Sequence, residues 1–208
     1  MITEIEQAMV ARLSQGLGRM VRTVKSYGGE LEDLGAQIMT LPAVWVTYAG
    51  SRIEAAATGK TRYCDHAQFA VMCATRSLRN EAALHQGGTD VREIGSNALI
   101  WAVRRLLDGQ TLGLADSRGL TPKAVRPIAK SVWVQNAAVS VAAAEYVLRF
   151  DSVPLEDGRF PTERDGADAV FARYGGRTDL PYPDFEGVDG LVFDGALGSV
   201  PIRVDLKG

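Results

Sequence analysis

Apolar positions along the chain follow two rhythms, one of roughly 3.6 residues and one of two. The helical rhythm is clearest from Thr89 to Gly109, where Val91, Ile94, Ala98, Leu99, Ala102, Val103 and Leu106 recur on one face. Thr89 or Asp90 can cap its start, Glu93 follows Asp90 at capping-box spacing, and Gly109 stands where a left-handed C-terminal cap belongs. This predicts an amphipathic helix of about five turns, built to lie on an apolar sheet. Arg92, Asn97, Arg104, Arg105 and Asp108 fall mostly off the stripe. A first helix is predicted over Thr3 to Leu17, with Thr3 and Glu6 as a capping-box pair. Ile2, Ile5, Met9 and Leu13 form its apolar edge, and Gly16 and Gly18 end it.

The two-residue rhythm marks strands. Met20 to Tyr27 alternates until Gly28-Gly29 breaks it, and Glu30 to Ile38 reads as a short helix. After Pro42, Ala43 to Tyr48 is nearly all apolar, as is His66 to Ala74, the composition of strands buried on both faces. Residues 50–62 between them are small, polar and glycine-punctuated, which predicts a loop or hairpin tip. Gly109 to Pro127 is turn-rich, with Leu112, Leu114 and Leu120 plugging the helix end. Arg126 to Val134 and Ser140 to Phe150 flank Gln135-Asn136 as two further strands. In the second, Tyr146, Leu148 and Phe150 alternate with Glu145, Val147 and Arg149, a half-buried pattern.

The predicted order is helix, three strands, helix, two strands. It implies an α+β fold with a mixed or antiparallel sheet of four to five strands and helices on one face. The pattern stops near Asp151. Five of the eight prolines lie beyond it, among many Gly and Asp residues. The organisation is therefore a core over residues 1–151 and a turn-rich C-terminal arm over 152–208, ending in a short strand near Val200 to Leu206.

Composition narrows the function classes. The 208 residues carry a net charge of −2, so no general basic field points to bulk nucleic-acid binding. No apolar run approaches a membrane span, and MITEIEQAMVARL carries acids too early for a secretory signal. Two cysteines make no disulfide framework. These features predict a soluble protein that folds in the cytoplasm.

Candidate chemistry is sparse. Gly59-Lys60-Thr61 resembles the end of a phosphate-binding loop, but the glycine required five residues before Gly59 is Glu54. Cys64, His66, Cys73 and His85 are the soft metal ligands; Cys64 and Cys73 differ by an odd number of positions, so one strand sends them to opposite faces. Asp179, Asp184, Asp189 and Asp194 recur every five residues, whereas calcium loops use alternate positions, so these read as turn residues. Neither histidine has a nucleophile and acid at recognisable spacing. Arg76, Arg79, Arg92, Arg104 and Arg105 concentrate positive charge, which fits a solvated surface or, as the sharper alternative, a subunit or phosphate contact. The residues predict no enzyme, no cofactor and no metal, and point to binding or assembly.

Several stretches carry a more specific likeness: ITEIEQAMVARL, VRTVKSYGGEL, LPAVWVTYAG, FAVMCATRSLRNEAA and, above all, VREIGSNALIWAVRRLLDGQTLGL. In this order they resemble the tail terminator family of Mu-like phages and prophages over residues 1 to about 150, while 151–208 depart from it. The resemblance implies a virion structural protein at the head–tail junction, made in the host cytoplasm. It implies a homo-oligomeric ring, expected to be a hexamer, that caps the head-proximal end of the tail tube and stops its polymerisation. Tail tube protein would bind one face and a head-completion or stopper protein the other, with sheath protein as a further partner in a contractile tail. DNA would pass through the lumen without specific binding, and no membrane is involved. Interface candidates on this reading are Gly50, Ser51, Arg52, Lys60 and Arg62 at the hairpin tip, with Arg76, Arg79, Arg104 and Arg105. The arm from about residue 155 is expected to wrap a neighbour. Another head–tail connector component, a stopper or adaptor, is the alternative; a small-molecule enzyme is a third reading, motivated only by the glycine-rich loops.

Overall fold

The computed structural model describes residues 1–56, 62–77, 94–114, 118–134, 137–162, 166–179, 187–194 and 198–205. The chain divides into two compact units, Met1–Pro154 and Leu155–Gly208.

In the first unit, α1 (Ile2–Leu17) buries Ile5, Met9, Leu13 and Leu17, four residues at successive i+4 steps. The helix begins one residue earlier than its sequence pattern indicates. Met1 is the cap and makes no side-chain cap bond, so the expected Thr3/Glu6 capping box does not form. Thr3 already lies inside the helix, and the Met1 amine instead pairs with Glu4 at 3.0 Å. Gly18 ends α1 with φ 50° and ψ −121°, a conformation open to glycine and costly for residues with a Cβ.

Five strands follow in one sheet: β1 (Thr23–Ser26), β2 (Ala43–Ala56), β3 (Arg62–Ser77), β4 (Thr121–Val134) and β5 (Ala137–Ser152), in spatial order β1-β2-β3-β5-β4. β1 pairs parallel to β2, and every other pair is antiparallel, which makes the sheet mixed. A four-residue helix, α2 (Leu34–Gln37), is capped by Asp33, whose carboxylate accepts from the Ala36 amide at 3.0 Å. The second long helix, α3, spans Ser96–Leu107.

The two-residue period of the strands sorts the core into two layers. Val44 and Val46 of β2, Ala67 to Cys73 at odd positions of β3, and Ala144 to Phe150 at even positions of β5 face α1 and α3. The intervening residues, Ala43, Trp45, Met72, Ala74, Val141 and Ala143, form the opposite layer, against which Tyr27, Leu31 and Leu34 pack. β3 lies between β2 and β5 and is buried on both sides, which explains its continuous apolar run.

Further expectations need correction. Residues 50–62 are not a loop: β2 runs on to Ala56 and pairs with β3 as far as Arg62, so only 57–61 remain for a tip, outside the described residues. The paired register steps from Tyr48/Phe69 to Gly50/Gln68, so Ala49 is an extra residue in a bulge and Gly50 takes φ 105°. The polarity of this stretch is that of an exposed hairpin, not of a turn.

The helix predicted from Thr89 starts only at Ser96. Gly95 is its cap in extended geometry (φ −74°, ψ 153°), which removes Ile94 from the helix, while Thr89 to Glu93 lie outside the described residues. Its buried stripe is Ser96, Leu99, Ala102, Val103 and Leu107; Ala98 is exposed. Gly109 does adopt the left-handed conformation, φ 75°. The segment before Pro127, expected to be turns, already belongs to β4 from Thr121, because an edge strand can absorb proline where a central one cannot.

In the second unit, a short helix, α4 (Ala169–Arg173), precedes a hairpin of β6 (Gly187–Asp194) and β7 (Gly198–Asp205). Asp189 therefore lies within a strand opposite Arg203, not in a turn. Asp179 accepts from the Phe160 amide at 3.0 Å and pairs with Arg159 at 3.3 Å.

Candidate functional site

Burying Leu99, Val103 and Leu107 aims the opposite side of α3 outward, and its spacing places Asn97, Trp101, Arg104, Arg105 and Asp108 there. Together with Ile100 and with Val125 of β4, these residues line a groove of about 520 Å³. Trp101 is 66% exposed, a large apolar surface on the polar side of an amphipathic helix. The Arg105 guanidinium lies over its ring, 5.9 Å from the centroid. Val125 and Ile128 of β4 are exposed as well.

The floor of the groove is fixed by one carboxylate. Oδ2 of Asp108 accepts from Arg104 Nε at 3.1 Å and Nη2 at 2.7 Å, and Oδ1 accepts from the Tyr146 hydroxyl at 3.0 Å. Burial, reinforced by the bond to Asp108, pushes the Tyr146 hydroxyl far up from its ordinary value, so it stays neutral and donates. The end of α3 is thereby tied to the centre of β5. A second depression of about 390 Å³ shares Arg104 and Val125 and adds Lys123, Glu145 and Tyr146. Glu145 is held by Arg126 Nε at 2.8 Å. Asp108 is engaged and Tyr146 neutral, which leaves an exposed indole with the Arg105 guanidinium over its ring.

β4 is an edge strand, and its edge is blunted. Pro122 and Pro127 lack the amide hydrogen a partner strand would need, and the ladder shifts register three times along it. A further strand would find few backbone hydrogen-bond partners along β4.

The residues singled out from the sequence do not form one cluster. Gly50, Ser51 and Arg52 flank the β2 bulge, and Arg62 opens β3 on the same hairpin. Arg52 pairs with Glu54 at 3.1 Å, and Glu54 lies 3.6 Å from His66 Nε2. Arg76 lies towards the other end of β3, where its Nη1 donates to the Ile38 carbonyl at 2.9 Å, beside Arg22, which donates to Met39. Its guanidinium is held below its ordinary value by burial and by the charge of Arg22. Arg104 and Arg105 line the groove. Lys60 and Arg79 lie outside the described residues, as do Gly59, Thr61 and His85. Trp101 was missed, although its signal was present: a tryptophan four residues from both Asn97 and Arg105 on the face the leucines avoid.

Among the described residues, no three His, Cys, Asp or Glu side chains are grouped to hold a metal. Cys64 and Cys73 sit on opposite faces of β3 as parity requires, and burial pushes the Cys73 thiol up to about 12. Also among the described residues, no helix is long and apolar enough to cross a membrane.

Comparison with known proteins bears on the first unit. No curated protein matches the chain. A family model described as Bacteriophage Mu, Gp37 matches residues 1–151, the stretch that holds α1, α3 and all but the last residue of the five-stranded sheet. The chain belongs to that Mu Gp37 family, and is thus a phage structural protein.

Proposed function

We propose that this protein is a tail terminator: a ring, expected to contain six copies, that caps the head-proximal end of the tail tube and ends its growth. The observation that carries the reading is membership of the Mu Gp37 family over residues 1–151, nearly all of the first unit. A closed ring satisfies its lateral contacts within one layer, while its two faces stay chemically different. One face binds tail tube protein as a further layer would; the other offers no surface for another layer and receives the head-completion or stopper protein. Sheath protein is an added partner if the tail is contractile. DNA passes through the lumen without specific binding. The blunted edge of β4 supports assembly through side chains, and the long β2–β3 hairpin with Arg52 and Arg62 supplies a second projecting element.

The test is the mass of the purified protein by light scattering, alone and after mixing with tail tubes, with tube length followed by electron microscopy. A ring, free or formed on tube ends, with elongation arrested, is the expected result. A monomer or dimer that ignores tubes overturns it, and a protein that binds only filled heads points to a stopper instead.

A further inference from the structure

The groove between α3 and β4 and the depression that adjoins it together hold three cations, Arg104, Arg105 and Lys123, and two acids, Asp108 and Glu145. Both acids are already engaged, Asp108 by Arg104 and Glu145 by Arg126. Among the described residues, Arg105 and Lys123 have no carboxylate partner; Arg105 lies over the exposed Trp101, and Lys123 shares the adjoining depression with Val125. The occupant that fits is therefore acidic, with an apolar group to cover the indole.

The chain itself contains such a segment. Residues 1–154 hold 17 Lys and Arg against 14 Asp and Glu, whereas residues 155–208 hold 6 against 11. One unit is thus net positive and the other net negative by a wider margin. The acidic unit also exposes an apolar face: Val170, Phe171 and Tyr174 on and after α4 are all solvent-facing, Tyr174 at 79%. Val170 and Tyr174 are four residues apart, so they project from the same side.

We propose that the groove of one copy receives the acidic unit of a second copy, residues 155–208, with Val170 and Tyr174 against Trp101 and carboxylates at Arg105 and Lys123. This contact rests on the ring reading only in requiring more than one copy per assembly. Aromatic anchors with cations around them are a recurrent centre of binding energy, and the charge pairing sets partner and orientation more than total affinity.

The experiment uses the full chain with a benzophenone amino acid in place of Trp101, mixed with isotopically heavy full-length protein and irradiated. Mass spectrometry should find residue 101 of one copy joined to peptides within 155–208 of the other, including the peptide that carries 170–174. Crosslinks confined to one copy, crosslinks between copies only to residues 1–154, or associated copies with no crosslink at this site overturn it. In parallel, the Arg105→Glu/Lys123→Glu variant should weaken self-association at least tenfold and flatten its salt dependence, with the thermal unfolding of wild type. Wild-type association in that variant overturns the contact. A ring that caps tubes but crosslinks elsewhere removes this contact and leaves the terminator; crosslinks into 155–208 in protein that ignores tubes do the reverse.

Discussion

Gly16 offers a substitution whose sign separates two effects. It lies inside α1, where glycine is worth about 1 kcal/mol less than alanine, so propensity alone favours Gly16→Ala. A Cβ there would fall 2.5 and 2.7 Å from the two Leu106 methyls and 3.1 Å from its Cγ. Because Cγ is struck as well, turning the Leu106 methyls does not clear the space; the side chain or the helices must move. The helices are also bound at this crossing, Arg12 Nε donating to the Leu106 carbonyl at 2.5 Å. Overpacking of this kind costs about 1–3 kcal/mol. Setting about 2 against the propensity gain of about 1, we expect Gly16→Ala to destabilise by about 1 kcal/mol. Thermal unfolding should show a fall of roughly 2–4 °C. In a Leu106→Ala background the clash is gone, and the same substitution should raise stability by up to about 1 kcal/mol. A stabilising Gly16→Ala in the wild-type chain, or one with the same effect in both backgrounds, would refute the close α1–α3 crossing.

Three further outcomes follow from individual groups. Tyr146 is held neutral in the fold. Its stabilising bond is fully present below the ordinary tyrosine range near 10 and is lost as pH rises above it. Absorbance titration should accordingly show a tyrosine that stays protonated until alkaline unfolding, and Tyr146→Phe should abolish that residual step. Glu30 is opposite in sign. Burial opposes its charge, but Lys25 at 2.5 Å and the Gly28 amide at 2.7 Å outweigh it and hold the carboxyl below its ordinary value. Its contribution is present above the usual carboxylate range and lost as pH falls through the lowered value. Glu30→Gln should cost about 1 kcal/mol at neutral pH, with the gap to wild type closing in acid denaturation series. The Cys73 thiol, buried in the α1/α3 layer, should resist a thiol reagent in the native protein and react at the unfolding rate; prompt labelling at Cys73 would contradict its placement.

The sequence revealed what periodicity controls. The i+4 series of α1 and the alternation of Tyr146, Leu148 and Phe150 both point at the core they occupy, because burial on one face forces a repeat. Strand ends were harder to read: Ser51, Arg52 and Glu54 are polar yet extended, and with Ile53 exposed among them the outer half of β2 has no buried apolar face to betray it. The start of α3 was misplaced because Asp90 and Glu93 offer capping chemistry that competes with the glycine at 95, and local pattern cannot rank the two. The groove stayed hidden for a different reason. Trp101 and Val125 lie far apart in sequence, and only the pairing of β4 beside β5 brings Val125 to the same groove as α3.

The bulge at Ala49 and Gly50 gives β2 two reading frames. Before it, even-numbered residues point towards the helices; after it, Ser51, Ile53 and Ala55 pair with Ala67, Asp65 and Tyr63 and take over that side. The outer half of the hairpin is therefore insulated from the core in an evolutionary sense. Its exposed alternation can change without disturbing Val44, Trp45 or Val46, whose orientation was set before the extra residue. Losing one residue here would not shorten a loop but exchange the sides of Arg52, Ile53 and Glu54 at once, reversing the outer hairpin's chemistry in a single step.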